Sequence, residues 1–369
     1  MNDSAFRFCD DLGPKSILYV YQPAIGLKGI LVVDNVAAGP SIGGIRMAPD
    51  VSLEECFRLA RAMTYKNAAS GLPHGGGKSV IFADPSMDAA AKEQLIRAFA
   101  KAIEPITDYI PGPDMGTNET AMAWIKDEIG RCVGLPSELG GIPLDEIGAT
   151  AFGVVAAAEI AGDKLKLSLD GARVAIQGFG AVGKHAARFF GEKGTILVAA
   201  ADSSGTILDA GGIDVNALIA HKEQGSPISE FSVGEKLDRE AIVGVDCDIL
   251  VPAARPDAVR ADNQDSVKAR LIVPGANIGL TEEAETMLHE RGVLCIPDFI
   301  ANAGGVICAA VEYRGGTQIQ ALHEIDERIR ANTAEILDDS ERDGVLPRQA
   351  AVTMAEKRVR KAMRFGRWN

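Results

Sequence analysis

Between residues 173 and 202 the chain reads as strand, glycine turn, helix, strand. Arg173–Gln177 is an apolar strand that runs into Gly178-Phe179-Gly180-Ala181-Val182-Gly183, and the spacing predicts a helix over Ala181–Gly191 and a second strand over Ile196–Ala201. In that setting a G-x-G-x-x-G turn does three things. Its first glycine makes the turn, its second lets a pyrophosphate approach the backbone, and its third lets helix pack on strand, with the phosphates resting on the helix N-terminus. Asp202 follows the second strand, 24 residues after Gly178. A carboxylate there accepts hydrogen bonds from the ribose hydroxyls of NAD and repels a 2′-phosphate, while Ser203 and Ser204 leave room for NADP. Further apolar strands at Asp248–Val251, Leu271–Val273 and Val293–Ile296 alternate with helical stretches, which predicts a doubly wound parallel sheet.

The first third of the chain has a different texture. Strand-like runs at Ile17–Tyr21, Ile30–Val36 and Val80–Ala83 mix with helices, as in an α/β domain. The clearest helix starts at Ser52-Leu53-Glu54-Glu55, a capping box, and carries Leu53, Cys56, Leu59, Ala60 and Met63 at helical spacing. Lys66 continues that stripe, which predicts a lysine facing the core and in need of a partner, the alternative being a stem laid along the apolar surface with its ammonium reaching water. Lys78 lies twelve residues on, in a loop after Gly75-Gly76-Gly77. Two lysines brought close and desolvated depress each other's pKa, so that one stays charged to bind a carboxylate while the other works as an acid or base. Asp114, in Pro111-Gly112-Pro113-Asp114-Met115-Gly116, ends a strand where a carboxylate is placed for proton transfer or simply for turning the chain.

Other functional classes meet specific obstacles. Gly71–Ser79 imitates a phosphate-binding P-loop, but that motif needs G-x-x-x-x-G-K-[ST] between a strand and a helix, and here the segment follows a helix and precedes a strand. A nucleoside triphosphatase is therefore disfavoured. A formal net charge of −13 argues against nucleic acid and anionic membranes as partners, and the basic residues of the C-terminal helix alternate with Ala, Val and Met as in a packed helix. The six cysteines have no paired spacing and read as buried free thiols of a reducing compartment, and none of the five histidines has metal-site spacing, so no metal is expected. His74, beside Lys78, reads as a surface or backbone-bonded histidine ahead of one that tunes Lys78. No apolar run approaches a membrane span and the N-terminus has no signal-peptide pattern, which points to the cytoplasm. Gly- and Pro-rich Pro136–Pro143 is the expected hinge between two domains, and two amphipathic helices from Gln318 onward, broken around Gly344–Pro347, close the chain.

Taken in order, Met63-Thr64-Tyr65-Lys66-Asn67-Ala68, the Gly75–Lys78 segment, Pro113–Thr117, the Gly178–Gly183 turn, Gly275-Ala276-Asn277 and Asn302-Ala303-Gly304-Gly305-Val306 resemble the glutamate/leucine/phenylalanine/valine dehydrogenase family. The resemblance runs from about residue 28 to 345. It implies an N-terminal α/β substrate-binding and oligomerisation domain over 1–140, joined by the C-terminal helices 330–369, and a Rossmann dinucleotide-binding domain over 145–329, with a cleft between them in a homo-oligomer. It implies reversible conversion of an L-amino acid to its 2-oxo acid and ammonia with NAD or NADP. By matching motif, Lys66 would bind the α-carboxylate, Lys78 would be a low-pKa lysine that activates water, and Asp114 would move protons to and from the amino nitrogen. Thr150 would hold the nicotinamide carboxamide, and Asn277 and Asn302 would lie beside the nicotinamide ribose and the substrate. A non-catalytic dinucleotide sensor of the same fold would be expected to have lost one of the lysines, and both are present.

Glutamate-specific members of that family hold the distal carboxylate with a lysine before a Gly-Gly pair and a serine three residues after the valine of Asn-Ala-Gly-Gly-Val. Here those positions are Ile42 and Ala309. Burying a carboxylate there without partners costs on the order of several kcal/mol. Gly112 and Val306 complete an apolar lining, so the expected substrate is leucine, valine, isoleucine or phenylalanine, with glutamate as the alternative. Asp202-Ser203-Ser204-Gly205 and Pro297-Asp298-Phe299 in the dinucleotide half read more like glutamate-type members.

Overall fold

The structure is a computed structural model in which residues 6–366 are described. The chain packs as two units. The first comprises Met1–Pro143, Val306–Ala321 and Val352–Asn369, and the second Leu144–Gly305 and Leu322–Ala351.

The first unit is built on β1 (Ser16–Gln22), β2 (Leu27–Asn35), β3 (Ser41–Met47), α1 (Leu53–Ala69), β4 (Gly75–Ile81), α2 (Ala89–Ile103), β5 (Tyr109–Pro113) and α3 (Glu119–Ile129). Its sheet has the order β1-β2-β4-β3-β5. β2 is antiparallel to its two neighbours β1 and β4, and β3 runs parallel to both β4 and β5. One face carries Ile45, Met47, Ile81 and Tyr109 against Ile96, Phe99 and Ile103 of α2 and Met122 and Ile125 of α3. The other carries Ile30, Val32 and Val80 against Cys56 and Ala60 of α1.

Glycine decides how closely α1 lies on this sheet. The triple glycine expected as a loop is the first half of β4, because a Cβ at Gly75 would run into the Asn35 carbonyl and one at Gly76 into the backbone nitrogen of Thr64. These residues are glycine for close approach and not for a turn. The same reason explains β3, which has no counterpart in the sequence expectation: a Cβ at Gly43 would meet the Gly77 carbonyl, and one at Gly44 would lie 2.7 Å from Cβ of Asp114. Ser52 caps α1 as expected, its Oγ accepting the Glu55 N–H at 3.1 Å. The Glu55 carboxylate, however, accepts from Arg46 Nη1 at 2.6 Å, its partner in place of the cap. The fully buried Asp34 on β2 ties α1 down a second time, accepting from Arg61 Nε at 2.8 Å and Thr64 Oγ1 at 2.6 Å.

The second unit begins with α4 (Ala149–Leu165), β6 (Arg173–Gln177), α5 (Ala181–Glu192), β7 (Ile196–Asp202), β8 (Gly205–Leu208), α6 (Val215–Glu223), β9 (Glu235–Leu237) and β10 (Ile249–Pro252). β11 (Leu271–Ile272), α7 (Glu282–Glu290), β12 (Leu294–Cys295) and α8 (Asp298–Ala301) follow. The sheet order is β12-β11-β10-β6-β7-β8-β9. The run from β12 to β7 is parallel, as the alternating pattern predicts, but β8 and β9 add an antiparallel edge through tight pairing at Asp202–Gly205. The chain order reverses between β6 and β10, the point where open α/β sheets bind ligands.

α9 (Gly304–Tyr313), α10 (Gln318–Asp343) and α11 (Pro347–Met363) complete the chain. Three arginines of α11, Arg348, Arg358 and Arg360, are engaged within the molecule. Arg358 Nη1 donates to the Ala69 carbonyl at 2.6 Å at the end of α1, and Arg360 pairs with Asp11 and Glu356. Near the start of α11, Arg348 donates to Glu285 Oε1 and to Asp298 Oδ1, each at 2.7 Å, and both carboxylates are buried. Cys9 is exposed, against the expectation of a buried thiol, while the other five cysteines are buried and burial pushes the thiols of Cys56, Cys132, Cys247 and Cys308 up to about 12. Among the described residues no helix is long and apolar enough to cross a membrane.

Two substitutions test this packing. The Phe99 ring lies over Gly29 of β2 and is fully buried, so Phe99→Ala is expected to cost about 3–5 kcal/mol in urea unfolding. Arg348→Met leaves two buried carboxylates without their cation and is expected to cost about 3–5 kcal/mol in the same measurement, whereas removal of an exposed surface pair costs about 1 kcal/mol or less.

Candidate active site

Register gathers most of the first unit's candidate residues on one sheet face. Ile42 pairs with Gly76 and with Ile110, and Gly44 pairs with Gly112. Side chains alternate along a strand, so Ile42, Gly44 and Arg46 of β3, Gly76 and Lys78 of β4, and Gly112 with Asp114 beyond β5 all face the α1 side. Ile42 is 3% exposed and Lys78 6%.

Lys78 and Asp114 form an ion pair, with Nζ donating to Oδ2. The sequence placed Lys78 in an open loop beside a second lysine. In the structure it stands in a central, buried strand, and the charge beside it is a carboxylate. Asp114 is fixed from several directions. Its Oδ1 accepts from the Met115 N–H at 2.6 Å and from Arg46 Nη2 at 3.4 Å, its own N–H donates to Thr117 Oγ1 at 3.0 Å, and Thr117 Oγ1 in turn donates to the Ile45 carbonyl at 2.8 Å. Burial pushes the Asp114 carboxyl up, but the charge and hydrogen bond of Lys78, with Arg46 behind them, hold it below the ordinary carboxylate value. It is an anion at neutral pH.

Lys66 lies in the last turn of α1. The buried face of that helix is Cys56, Ala60, Thr64, Asn67 and Ala68, and Lys66 flanks it at a half-buried position, as do Leu59 and Met63. Of the expected stripe, Cys56 and Ala60 are on the buried face, while Leu53, Leu59, Met63 and Lys66 flank it, because the sheet approaches over the small residues. Asn67 Nδ2 donates to the Gly75 carbonyl at 2.7 Å and so locks the end of α1 to the start of β4. His74 bonds through Nδ1 to the Pro40 carbonyl at 3.1 Å, and burial lowers its pKa. Val306 and Ala309 share one face of α9 at i, i+3 spacing, half-buried and buried respectively. Glu312 on the same helix accepts from the Leu135 N–H at 3.1 Å and the Ile142 N–H at 3.0 Å, so the expected hinge segment is anchored at both ends by a residue that sequence reading passed over.

In the second unit the glycine turn has the shape a pyrophosphate needs. Gly178 has φ +96°, a conformation that favours glycine, and a Cβ at Gly183 would strike the Gly178 carbonyl. At Gly180 a Cβ would meet nothing within 4 Å, and no side chain caps α5 there. The open N-terminus with its free space accommodates the phosphates of a dinucleotide. Ala181 is exposed and Val182 half-buried, but Phe179 is 2% exposed, so its contribution to a ligand is by backbone alone. Gly275 makes room for Val182, which sets the Gly275–Asn277 loop beside the turn. Asn302 Nδ2 donates to Asn277 Oδ1 at 3.0 Å. Thr150, in the first turn of α4, has its Oγ1 3.4 Å from where a Cβ on Gly305 would stand.

Two groups there were not singled out from sequence. Asp298, held by Arg348, accepts the Ile278 N–H at 2.7 Å and fixes a left-handed φ of +53° at an exposed, β-branched residue next to Asn277. Lys222 of α6 donates to Asp202 Oδ2 at 2.6 Å. The apolar-to-charged break at Arg46, inside an otherwise apolar and glycine-rich segment, was a readable signal; Arg348 and Lys222 offered none, since their partners lie 50 and 20 residues away.

These features agree with the comparisons to known proteins. The family described as Glutamate/Leucine/Phenylalanine/Valine dehydrogenase matches residues 140–366, and its companion described as Glu/Leu/Phe/Val dehydrogenase, dimerisation domain, matches residues 16–131. The chain is 36% identical over 358 residues to a glutamate dehydrogenase of Aeropyrum pernix, covering 90% of this chain and 85% of that protein. It is 38% identical over 351 residues to the glutamate dehydrogenase of Thermotoga maritima, covering 90% and 84%. Among solved structures, the hetero-hexameric glutamate dehydrogenase of Thermus thermophilus in a leucine-bound form superposes with a TM-score of 0.86 at 30% identity over 96% of this chain and 91% of that one. The L-tryptophan dehydrogenase of Nostoc punctiforme superposes with a TM-score of 0.76 at 25% identity over 98% and 99%. Fold, motifs and relatives agree that the chain belongs to the glutamate/leucine/phenylalanine/valine dehydrogenase family, as an NAD(P)-dependent amino acid dehydrogenase acting on the CH–NH2 group of its donor.

Proposed function

We propose that the buried Lys78–Asp114 pair carries the proton chemistry of oxidative deamination, and that this pair is the observation on which the assignment of roles rests. The reaction converts an L-amino acid, water and oxidised dinucleotide into a 2-oxo acid, ammonium, reduced dinucleotide and a proton. The bound nicotinamide supplies the acceptor for the hydride from Cα. Asp114, an anion in a cationic setting, takes a proton from the substrate ammonium and returns one to the departing ammonia. Lys78 polarises the imino carbon and orients the water that attacks it. Lys66 binds the α-carboxylate.

In the second unit Gly178, Phe179, Gly180, Ala181, Val182 and Gly183 take the pyrophosphate, Thr150 the carboxamide, and Asn277 and Asn302 the nicotinamide ribose and substrate. On this reading the first unit, with its C-terminal helical segments, is the substrate-binding and oligomerisation domain and the second the dinucleotide-binding domain. The enzyme works as a homo-oligomer in the cytoplasm. Lys78→Ala is expected to lower turnover by at least 1,000-fold, on the order of losing both acid–base and electrostatic assistance, while calorimetric NAD binding persists. Retained turnover would remove Lys78 from the mechanism.

For the substrate side chain, overall relatedness supports glutamate, the substrate named for relatives at 35–38% identity. A second reading, an aliphatic or aromatic side chain, is favoured by one specific observation: Ile42, buried and on the face that carries Lys78, stands with Ala309 at the positions where glutamate-type members place a lysine and a serine. NADH formation across a panel of L-amino acids at alkaline pH separates them. Glutamate turning over fastest establishes the first reading; leucine, valine or phenylalanine ahead of glutamate establishes the second. If the second holds, Ile42→Lys with Ala309→Ser should shift kcat/KM toward glutamate by at least tenfold.

A further inference from the structure

We propose that Lys222 is a specificity-determining residue that cancels the charge of Asp202 and makes the adenosine end of the dinucleotide site accept a 2′-phosphate as well as a free ribose. This rests on the reading above that the Gly178–Gly183 turn holds the dinucleotide.

A carboxylate after the second strand of such a unit discriminates in two ways: its free oxygens accept ribose hydroxyls, and its uncompensated charge repels a phosphate. Asp202 has neither property intact. Oδ1 accepts from the Ser204 N–H at 2.8 Å and from Ser204 Oγ at 2.5 Å. Oδ2 accepts from Lys222 Nζ at 2.6 Å and from the Ile228 N–H at 3.0 Å. A carboxylate offers about four lone-pair positions, and here each oxygen already serves two donors. The burial of Asp202 works against its charge, but Lys222, Ser204 and Ile228 together lower its pKa to about 2, so it stays ionised at neutral pH with the Lys222 side chain bonded to it.

The two groups differ in what they can still do. Ser203 and Ser204 are exposed and Lys222 is half-buried at the end of α6, on a long flexible side chain. When a ribose hydroxyl docks, it must displace one of the four donors from Asp202. When a 2′-phosphate docks, Lys222 Nζ can turn from one anion to the other, and the Ser204 hydroxyl, which both donates and accepts, can follow it. Lys184 is near enough to Glu223, at 3.8 Å, to be partly neutralised, which leaves Lys222 as the cation closest to Asp202 among the described pairs.

The test is calorimetric titration of the full-length protein, without amino acid, with adenosine 2′,5′-bisphosphate, 5′-AMP, NADP and NAD at low ionic strength. The wild type is expected to bind NADP and NAD within about tenfold of each other. Lys222→Ala should weaken adenosine 2′,5′-bisphosphate and NADP by on the order of 10- to 100-fold, the fold-change of one charge-assisted hydrogen bond, while 5′-AMP and NAD hold or tighten. Lys222→Arg should keep the 2′-phosphorylated ligands and serves as the folding control. A wild type that binds NAD more than 100-fold more tightly than NADP overturns the proposal, as does a Lys222→Ala variant that weakens all four ligands equally. If none of the four binds the wild type, the dinucleotide reading itself falls, and this inference with it.

Discussion

The close approach of α1 to β4 is the constraint on which the first unit is built. Without a side chain at Gly76 the helix lies directly on the strand, Asn67 reaches the Gly75 carbonyl, Gly75 and Gly77 let the neighbouring strands close in, and Lys78 enters the sheet interior next. A lysine brought there by backbone packing loses water and must find a charge. The strand-end carboxylate of Asp114 provides it; Arg46 and the Met115 N–H hold that carboxylate in turn, and Thr117 holds the Asp114 backbone N–H. Glycine packing, a buried lysine and a fixed carboxylate are one device: a pair already desolvated and oriented by the fold, which is what the proposed acid–base role requires.

The legibility of the sequence followed the range of the interactions. The dinucleotide unit was readable because its signals are local: strand, turn and helix are contiguous from Arg173 to Glu192, and Gly178 and Gly183 have steric reasons within the turn itself. The capping of α1 by Ser52 was readable for the same reason. Misreadings came where a local signal had two meanings. Three glycines in a row announce a loop when nothing is known of their neighbours, and they are a strand once α1 and β2 lie against them. Lys66 lay one column off because the pattern marks large apolar residues, while the sheet sits on Ala60, Thr64 and Asn67.

Long-range partners were invisible altogether. Glu312 with residues 135 and 142, Arg348 with Asp298, and Lys222 with Asp202 are joined only by the fold. Two of these change the surroundings of residues that the sequence singled out. Asp202 read as a bare carboxylate and is paired with Lys222, and the loop bearing Asn277 owes its left-handed turn at Ile278 to a carboxylate that is itself oriented by α11. The substrate lining stands differently. Its residues were readable by position, but overall relatedness and local chemistry point to different amino acids, and the register that puts Ile42 on the Lys78 face is what gives the local argument its force.

The arginines of this chain carry a consequence for how ligands arrive. Arg46, Arg61, Arg348 and Arg358 are each bonded to internal carboxylates or to helix carbonyls, so much of the positive charge is spent inside the fold while the net charge remains −13. An anionic ligand therefore meets a repulsive field at a distance and an attractive one only within the last few ångströms. Added salt shortens the reach of that repulsion to about 8–10 Å at physiological strength and leaves buried cations largely unscreened. Encounter with a dinucleotide or an acidic substrate should thus quicken as ionic strength rises from very low values, the reverse of an enzyme that gathers its ligands by electrostatic steering.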